Sequence, residues 1–173
     1  MYASVQRPMF PETELQKADV SVSNPPFNLK SSVSEDITKD LPLKYTCNFA
    51  FVAHCLQRGE RCALILPRGV LTSKEELECR KYLISKGWLK AAISLPEKMF
   101  ESTSVATCIL LLDKKNISKE VMLVNAEKMK SVEVREQRGE GNASHYNRIY
   151  KKEFNTFSDE QIAAICELTT KEQ

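Results

Sequence analysis

The sequence predicts an α/β fold built on a largely parallel sheet. Three observations carry this reading. From residue 18 onward, short apolar runs alternate with segments of helical period, and proline or glycine punctuates the junctions. One run, Cys62-Ala63-Leu64-Ile65-Leu66, is apolar throughout, as a central strand covered on both faces should be. At 173 residues and 42% hydrophobic content, the chain is long enough for one domain with its own core.

The first 17 residues carry Pro8 and Pro11 around Met9 and Phe10 without a sustained period, and read as a loop or a truncated entry segment. The first strand, Asp19-Val20-Ser21-Val22-Ser23, must stop at Asn24, because Pro25 and Pro26 cannot donate to a sheet ladder. A polar loop follows. The apolar spacing of Phe49, Val52, Ala53 and Leu56 then predicts a helix over 45–57, with Gly59 near its end. The all-apolar run 62–66, stopped by Pro67, is expected beside the first strand. Ser73 and Glu76, in capping-box spacing, predict a second helix that turns Leu77, Leu83 and Ile84 inward and stops at Gly87.

Strands are expected over 89–95 and 106–112, joined by a loop containing Pro96 and Phe100, as a hairpin at a sheet edge. A weaker strand covers 121–125. Residues 127–152 are charged and poor in apolar residues, and read as a loop. Ser158 and Gln161 cap a last helix with Ile162, Ile165 and Cys166 on one side. The expected organisation is thus an entry segment 1–17, a catalytic-type sheet segment 18–126, and a charged loop plus helix over 127–173.

The net charge of +2, from 25 basic and 23 acidic residues, gives no electrostatic signature of a nucleic-acid binder. No apolar run approaches a membrane span, and the N-terminus lacks the apolar core of a signal peptide, so a cytoplasmic protein is expected. The six cysteines never form a Cys-x-x-Cys and mostly lie in apolar runs, as small buried hydrophobes in a reducing compartment do. His54 and His145 have no carboxylate or cysteine at metal-ligand spacing, so no metal is assigned.

One constellation carries chemistry. Asn24-Pro25-Pro26-Phe27 directly follows a strand, and ligands bind beyond the carboxyl ends of strands in open parallel sheets. The Asn24 amide oxygen and the carbonyl of conformationally restricted Pro25 offer two acceptors that can converge on one exocyclic amine. Adenine N6 is a poor nucleophile because its lone pair is delocalised into the ring. Accepting both of its hydrogens favours a pyramidal nitrogen able to attack a methyl group. Phe27 would stack on a base extruded from its duplex. Taken alone, the tetrapeptide more often marks a proline-stiffened turn with Phe27 in the core.

The segment from Asp19 through Asn28 resembles the Asp-(apolar strand)-Asn-Pro-Pro-Phe segment of amino-directed methyltransferases. The next hundred residues resemble modification subunits of type I restriction-modification systems. The resemblance runs in order through Arg61-Cys62-Ala63-Leu64-Ile65-Leu66-Pro67-Arg68-Gly69-Val70-Leu71, Ile93-Ser94-Leu95-Pro96 with Phe100, Thr103, Val105 and Thr107, and Val121-Met122-Leu123-Val124-Asn125-Ala126. It implies a partial Rossmann-like S-adenosylmethionine-dependent methyltransferase fold and an N6-adenine DNA methyltransferase. In it, Asn24, Pro25, Pro26 and Phe27 hold the amine, and Phe100 either helps enclose the base or is a hydrophobic plug in its loop. Lys30, Arg68 and Lys98, on loops near the same sheet edge, are phosphate candidates. Surface residues of this kind often only solvate.

The family holds S-adenosylmethionine on a glycine-rich turn upstream of the Asn-Pro-Pro-Phe strand. The 23 residues before Asn24 contain no glycine, and Gly139-Glu140-Gly141 follows no apolar strand. S-adenosylmethionine is therefore expected for the complete enzyme and not for this chain alone. The expected partners are DNA, a missing N-terminal half or another modification subunit, and the specificity and restriction subunits, with self-association through a bare sheet edge. Two other functions compete: a catalytically silent assembly or DNA-clamping module, and an amino-methyltransferase acting on RNA or on protein glutamine.

Overall fold

A computed structural model of the chain describes residues 17–28, 47–100, 103–138 and 149–170. Lys30 and His145 lie outside them, as do the entry segment before residue 17 and the polar loop before the first helix. Among the described residues no helix is long and apolar enough to cross a membrane.

Five strands form the central sheet: β1 (Ala18–Ser23), β2 (Gly59–Pro67), β3 (Leu89–Ser94), β4 (Thr107–Asp113) and β5 (Met122–Asn125). Their spatial order is β1-β2-β4-β3-β5. β1 pairs parallel with β2, and β3 with β5, while β4 runs antiparallel to both β2 and β3. Four of the five strands therefore point the same way. The antiparallel β3–β4 pair forms as expected, but β4 inserts between β2 and β3, and β5 takes the outermost place.

Helices α1 (Cys47–Arg58) and α2 (Leu77–Ser85) provide the crossovers. Phe49, Val52, Ala53 and Leu56 of α1 pack with Cys79 and Leu83 of α2 onto Cys62, Leu64, Leu66, Cys108, Leu110 and Leu112 of the sheet. Ile109 and Leu111, on the opposite face, join Ile93, Leu95 and Ala126 beneath Ile165 of helix α3 (Asp159–Thr170). The sheet is covered unevenly. Cys62, Leu64 and Leu66 are buried, whereas Ala63 and Ile65 between them are half-buried, so β2 is sealed on the two-helix face alone.

Helix α2 ends as expected in a Schellman turn. Gly87 has φ +72, its N–H donates to Ile84 O at 2.9 Å, and Trp88 N–H donates to Leu83 O at 2.9 Å. Its start differs from expectation. The helix begins at Leu77, after the Arg80 guanidinium has gathered the carbonyls of Val70 (2.8 Å) and Ser73 (2.7 Å), and Glu76 turns its side chain inward instead of closing a capping box. The inward residues become Cys79 and Leu83, at i and i+4, while Leu77 and Ile84 are exposed. For α3 the box is real: Ser158 N–H donates to Gln161 Oε1 (2.9 Å), and Gln161 N–H to Ser158 Oγ (3.3 Å). Ile165 and Thr169 face inward there, whereas Ile162 and Cys166 are exposed.

Within the expected charged loop over 127–152, the described residues 131–138 and 149–152 are strand instead: β6 (Ser131–Arg138) pairs antiparallel with β7 (Ile149–Thr156). Their charges mask an ordinary alternation. Glu133 and Arg135 lie opposite Phe154 and Lys152, so Arg135 and Lys152 each cover the buried Phe154 ring at 5.2 Å.

Candidate base-binding site

Asn24 leaves the sheet where β1 ends. Pro25 is buried and anchors the turn, while Asn24 and Pro26 are exposed. Phe27 is half-buried and meets Phe100 edge to face, with centroids 6.4 Å apart and planes at 81°. Asn24, Pro25, Pro26, Phe27, Asn28, Phe100, Thr103 and Val105 line one open cleft of about 610 Å³. The fold thus brings the loop after β1 and the loop between β3 and β4 together across about 75 residues of sequence. An isolated antiparallel bridge joins Phe100 to Thr103, and Val105 N–H donates to Thr103 Oγ1 at 3.1 Å, so the second loop is folded on itself behind Phe100.

Of the phosphate candidates, Lys98 alone lies beside this cleft among the described residues. Its φ is +56, and with Phe100, Thr103, Lys151 and Lys152 it lines a neighbouring cleft of about 500 Å³. Arg68 is occupied elsewhere: it forms an ion pair with Glu127 and lies 3.9 Å from Glu97, tying together the loops after β2, β3 and β5. It does not line the cleft around Phe27.

Three polar residues, Asn28, Asn48 and Glu76, meet beside the cleft, where sequence reading gave none of them a part in the site. Asn28, with φ +52, donates its N–H to Asn48 Oδ1 at 3.2 Å and accepts from Asn48 Nδ2 on its own Oδ1 at 3.2 Å. Asn48 Nδ2 also donates to Glu76 Oε1 at 3.2 Å. Asn48 and Glu76 are 3% and 4% exposed, so the network is buried at that end, while Asn28 is exposed at the other. One signal was available. Asn48 lies one turn before Val52 on the buried side of α1, where an unassigned polar residue calls for a partner.

At the outer edge of the sheet, β1 has no second neighbour among the described residues. Val20 and Val22 are 48% and 79% exposed. Ser21 and Ser23 alternate with the two valines and face the other way. Both are half-buried, and the Ser23 side chain is hydrogen-bonded to Cys55 of α1.

Burial raises the Cys55 thiol and pushes Cys62 and Cys108 up to about 12 and Cys79 up to about 11. These four are inert core side chains. Cys166 is exposed, against expectation, because α3 buries a narrow stripe. Among the described residues no group of three His, Cys, Asp or Glu is arranged to hold a metal ion.

Comparison with known proteins bears on the whole chain. The methylase subunit of the type I restriction enzyme MpnII from Mycoplasma pneumoniae is 34% identical over 116 residues, which are 59% of this chain and 21% of that one. The MjaVII methylase subunit from Methanocaldococcus jannaschii is 24% identical over 159 residues, 78% of this chain and 27% of that one. The crystal structure of a type I restriction-modification methyltransferase subunit from Streptococcus thermophilus superposes with a TM-score of 0.72 at 25% identity, covering 95% of this chain and 34% of that one. A Listeria monocytogenes structure described as a class I S-adenosylmethionine-dependent methyltransferase shares the fold, with a TM-score of 0.52 at 21% identity over 64% of this chain and 37% of that one. The chain therefore spans about a fifth to a third of the length of the methylase subunits it matches, and its sheet is part of a Rossmann-like methyltransferase fold. The N-6 DNA Methylase family matches residues 3–173, and this chain belongs to it.

Proposed function

We propose that this chain supplies the target-adenine half of the active site in a type I restriction-modification methyltransferase that methylates adenine N6 in DNA. The observation that carries the reading is the cleft itself. The Asn24–Phe27 turn stands at the carboxyl end of β1, and Phe27 and Phe100 wall the same space. A flipped adenine lies against Phe27, a contact worth about 1–3 kcal/mol. Asn24 Oδ1 and the Pro25 carbonyl accept the two N6 hydrogens. This draws the nitrogen lone pair out of the ring and aims it at an incoming methyl group.

The described residues do not fit S-adenosylmethionine. β1 runs into a proline turn, and none of the described glycines (Gly59, Gly69, Gly87) lies between a strand and a helix in a glycine-rich turn. The methyl donor belongs to a cofactor half that docks along the open edge of β1, where Val20 and Val22 await cover. Lys98, with Lys151 and Lys152 across the neighbouring cleft, is placed to meet the phosphates that flank the flipped base.

The test is Asn24→Ala in the methyltransferase assembled from this chain and its cofactor half, with methyl transfer to duplex DNA as the readout. Loss of the developing-charge hydrogen bond should cost about 1.5–3 kcal/mol or more. An unchanged rate would overturn the assignment.

A further inference from the structure

Asn28 stands next to Phe27 in a left-handed backbone conformation, with φ +52. A non-glycine residue holds that conformation at a cost, unless local hydrogen bonds secure it. Here they do, and they come from outside the loop. Both hydrogens of the Asn48 amide are used, one on Asn28 Oδ1 and the other on Glu76 Oε1, and its oxygen accepts the Asn28 N–H.

The third bond decides the other two. A carboxylate only accepts, so Glu76 requires the nitrogen side of the Asn48 amide to face it. That leaves the amide oxygen facing the Asn28 N–H. If the amide were reversed, Asn48 would present its oxygen to the Glu76 carboxylate and a donor to a donor at Asn28. Glu76 sits just before α2, and Asn48 is in the first turn of α1. Two helices that pack on the same sheet face thus hold one residue of the base-binding turn.

We infer that Asn48 and Glu76 are positioning residues for adenine methylation, acting through Asn28 to set the orientation of Asn24–Phe27 without touching the base. The inference rests on the proposed function for its catalytic consequence, but not for its structural one.

The structural arm is read on the full chain by amide hydrogen exchange. Asn48→Ala removes the acceptor of the Asn28 N–H, so that amide should exchange at least about tenfold faster, while amides in β2 and β4 keep their protection. Unchanged exchange at Asn28 would overturn the clamp. The catalytic arm is read in the assembled methyltransferase. Asn48→Ala should lower kcat about ten- to hundredfold, the scale of a small misplacement of reacting groups, while KM for DNA and the binding of S-adenosylmethionine stay within about twofold.

Glu76→Gln keeps the size and one acceptor but can also donate, so it frees the Asn48 amide to reverse. It should lower kcat less than Asn48→Ala, and it serves as the second variant if Asn48→Ala folds poorly. In an Asn28→Gly background, where glycine accepts the left-handed backbone and one of the two clamp bonds is already gone, Asn48→Ala should cost less than it does alone. Three outcomes sink the inference: unchanged kcat, losses that track only the folded fraction, or losses that multiply independently of Asn28. The parent reading fails separately, if Asn24→Ala leaves methyl transfer intact. Asn24→Ala inactive with Asn48→Ala fully active would sink the clamp alone.

Discussion

The central sheet, whose β2 and β4 carry continuous apolar runs, and the charged β6–β7 hairpin are held in different ways. β2 and β4 bury Leu64, Leu66, Leu110 and Leu112 beneath two helices. The hairpin buries Phe154 and leaves Val132, Val134, Ile149 and Tyr150 exposed. Polar bonds tie it to the rest of the fold: Asn155 N–H donates to Lys98 O at 3.0 Å and Asn155 Nδ2 to Glu97 O in the loop after β3, and Ser131 Oγ donates to Gln161 Oε1 of α3 at 3.3 Å. Burial makes the sheet one cooperative body, whereas the hairpin is fastened to it at points. The two Asn155 bonds fall on the loop that carries Phe100, so this less buried region forms a wall beside the candidate site.

This contrast can be broken experimentally, and the largest effect belongs to the sheet. Leu64→Ala should cost about 2–5 kcal/mol in denaturant unfolding and lower protection across β1 to β4 together. Loss of protection confined to β2 would mean that the sheet is not one unit. Gly87→Ala should cost about 2 kcal/mol. Its backbone is left-handed, and an added Cβ would lie 2.9 Å from the Ser118 carbonyl oxygen. Thermal melts report that loss, and a neutral substitution would show that the turn relaxes.

Asn155→Ala should cost about 1 kcal/mol and raise exchange in β6 and β7 while β2 and β4 stay protected. If the sheet loosened equally, hairpin and sheet would be one cooperative body. The smallest effect is chemical. Alkylation at pH 8, followed by mass spectrometry, should label Cys166 well before Cys62 or Cys108, whose buried thiols are pushed up to about 12 and hold almost no thiolate there. Early labelling of Cys62 would show that the two-helix face opens readily.

Much of the candidate site was legible because its signals are local. Pro25 and Pro26 end a strand wherever they fall, and the turn that results exposes Asn24. The Ser158–Gln161 box and the Gly87 stop are likewise written within a few residues. Ser73 and Glu76 show where local reading misleads. The spacing fits a cap, yet Arg80 takes the Ser73 carbonyl and buried Asn48 takes the Glu76 carboxylate. Residues 131–138 and 149–152 were misread because Val132 and Val134 of β6 stay exposed, and the buried apolar residue of the pair, Phe154, lies on β7 opposite Glu133.

The sequence by itself determined the α/β class, the position of β1 and β2, the place where the first strand stops, and the four residues, Asn24 to Phe27, that are candidates for holding an amine. Tertiary structure decided what meets what. It inserted β4 between β2 and β3, brought Phe100 to Phe27, committed Arg68 to Glu127, and joined Asn28, Asn48 and Glu76. The division has one physical cause. Backbone restriction and hydrophobic period act over a few residues and can be read along the chain. Hydrogen bonds and ring contacts between distant residues exist only after burial has set the strand order.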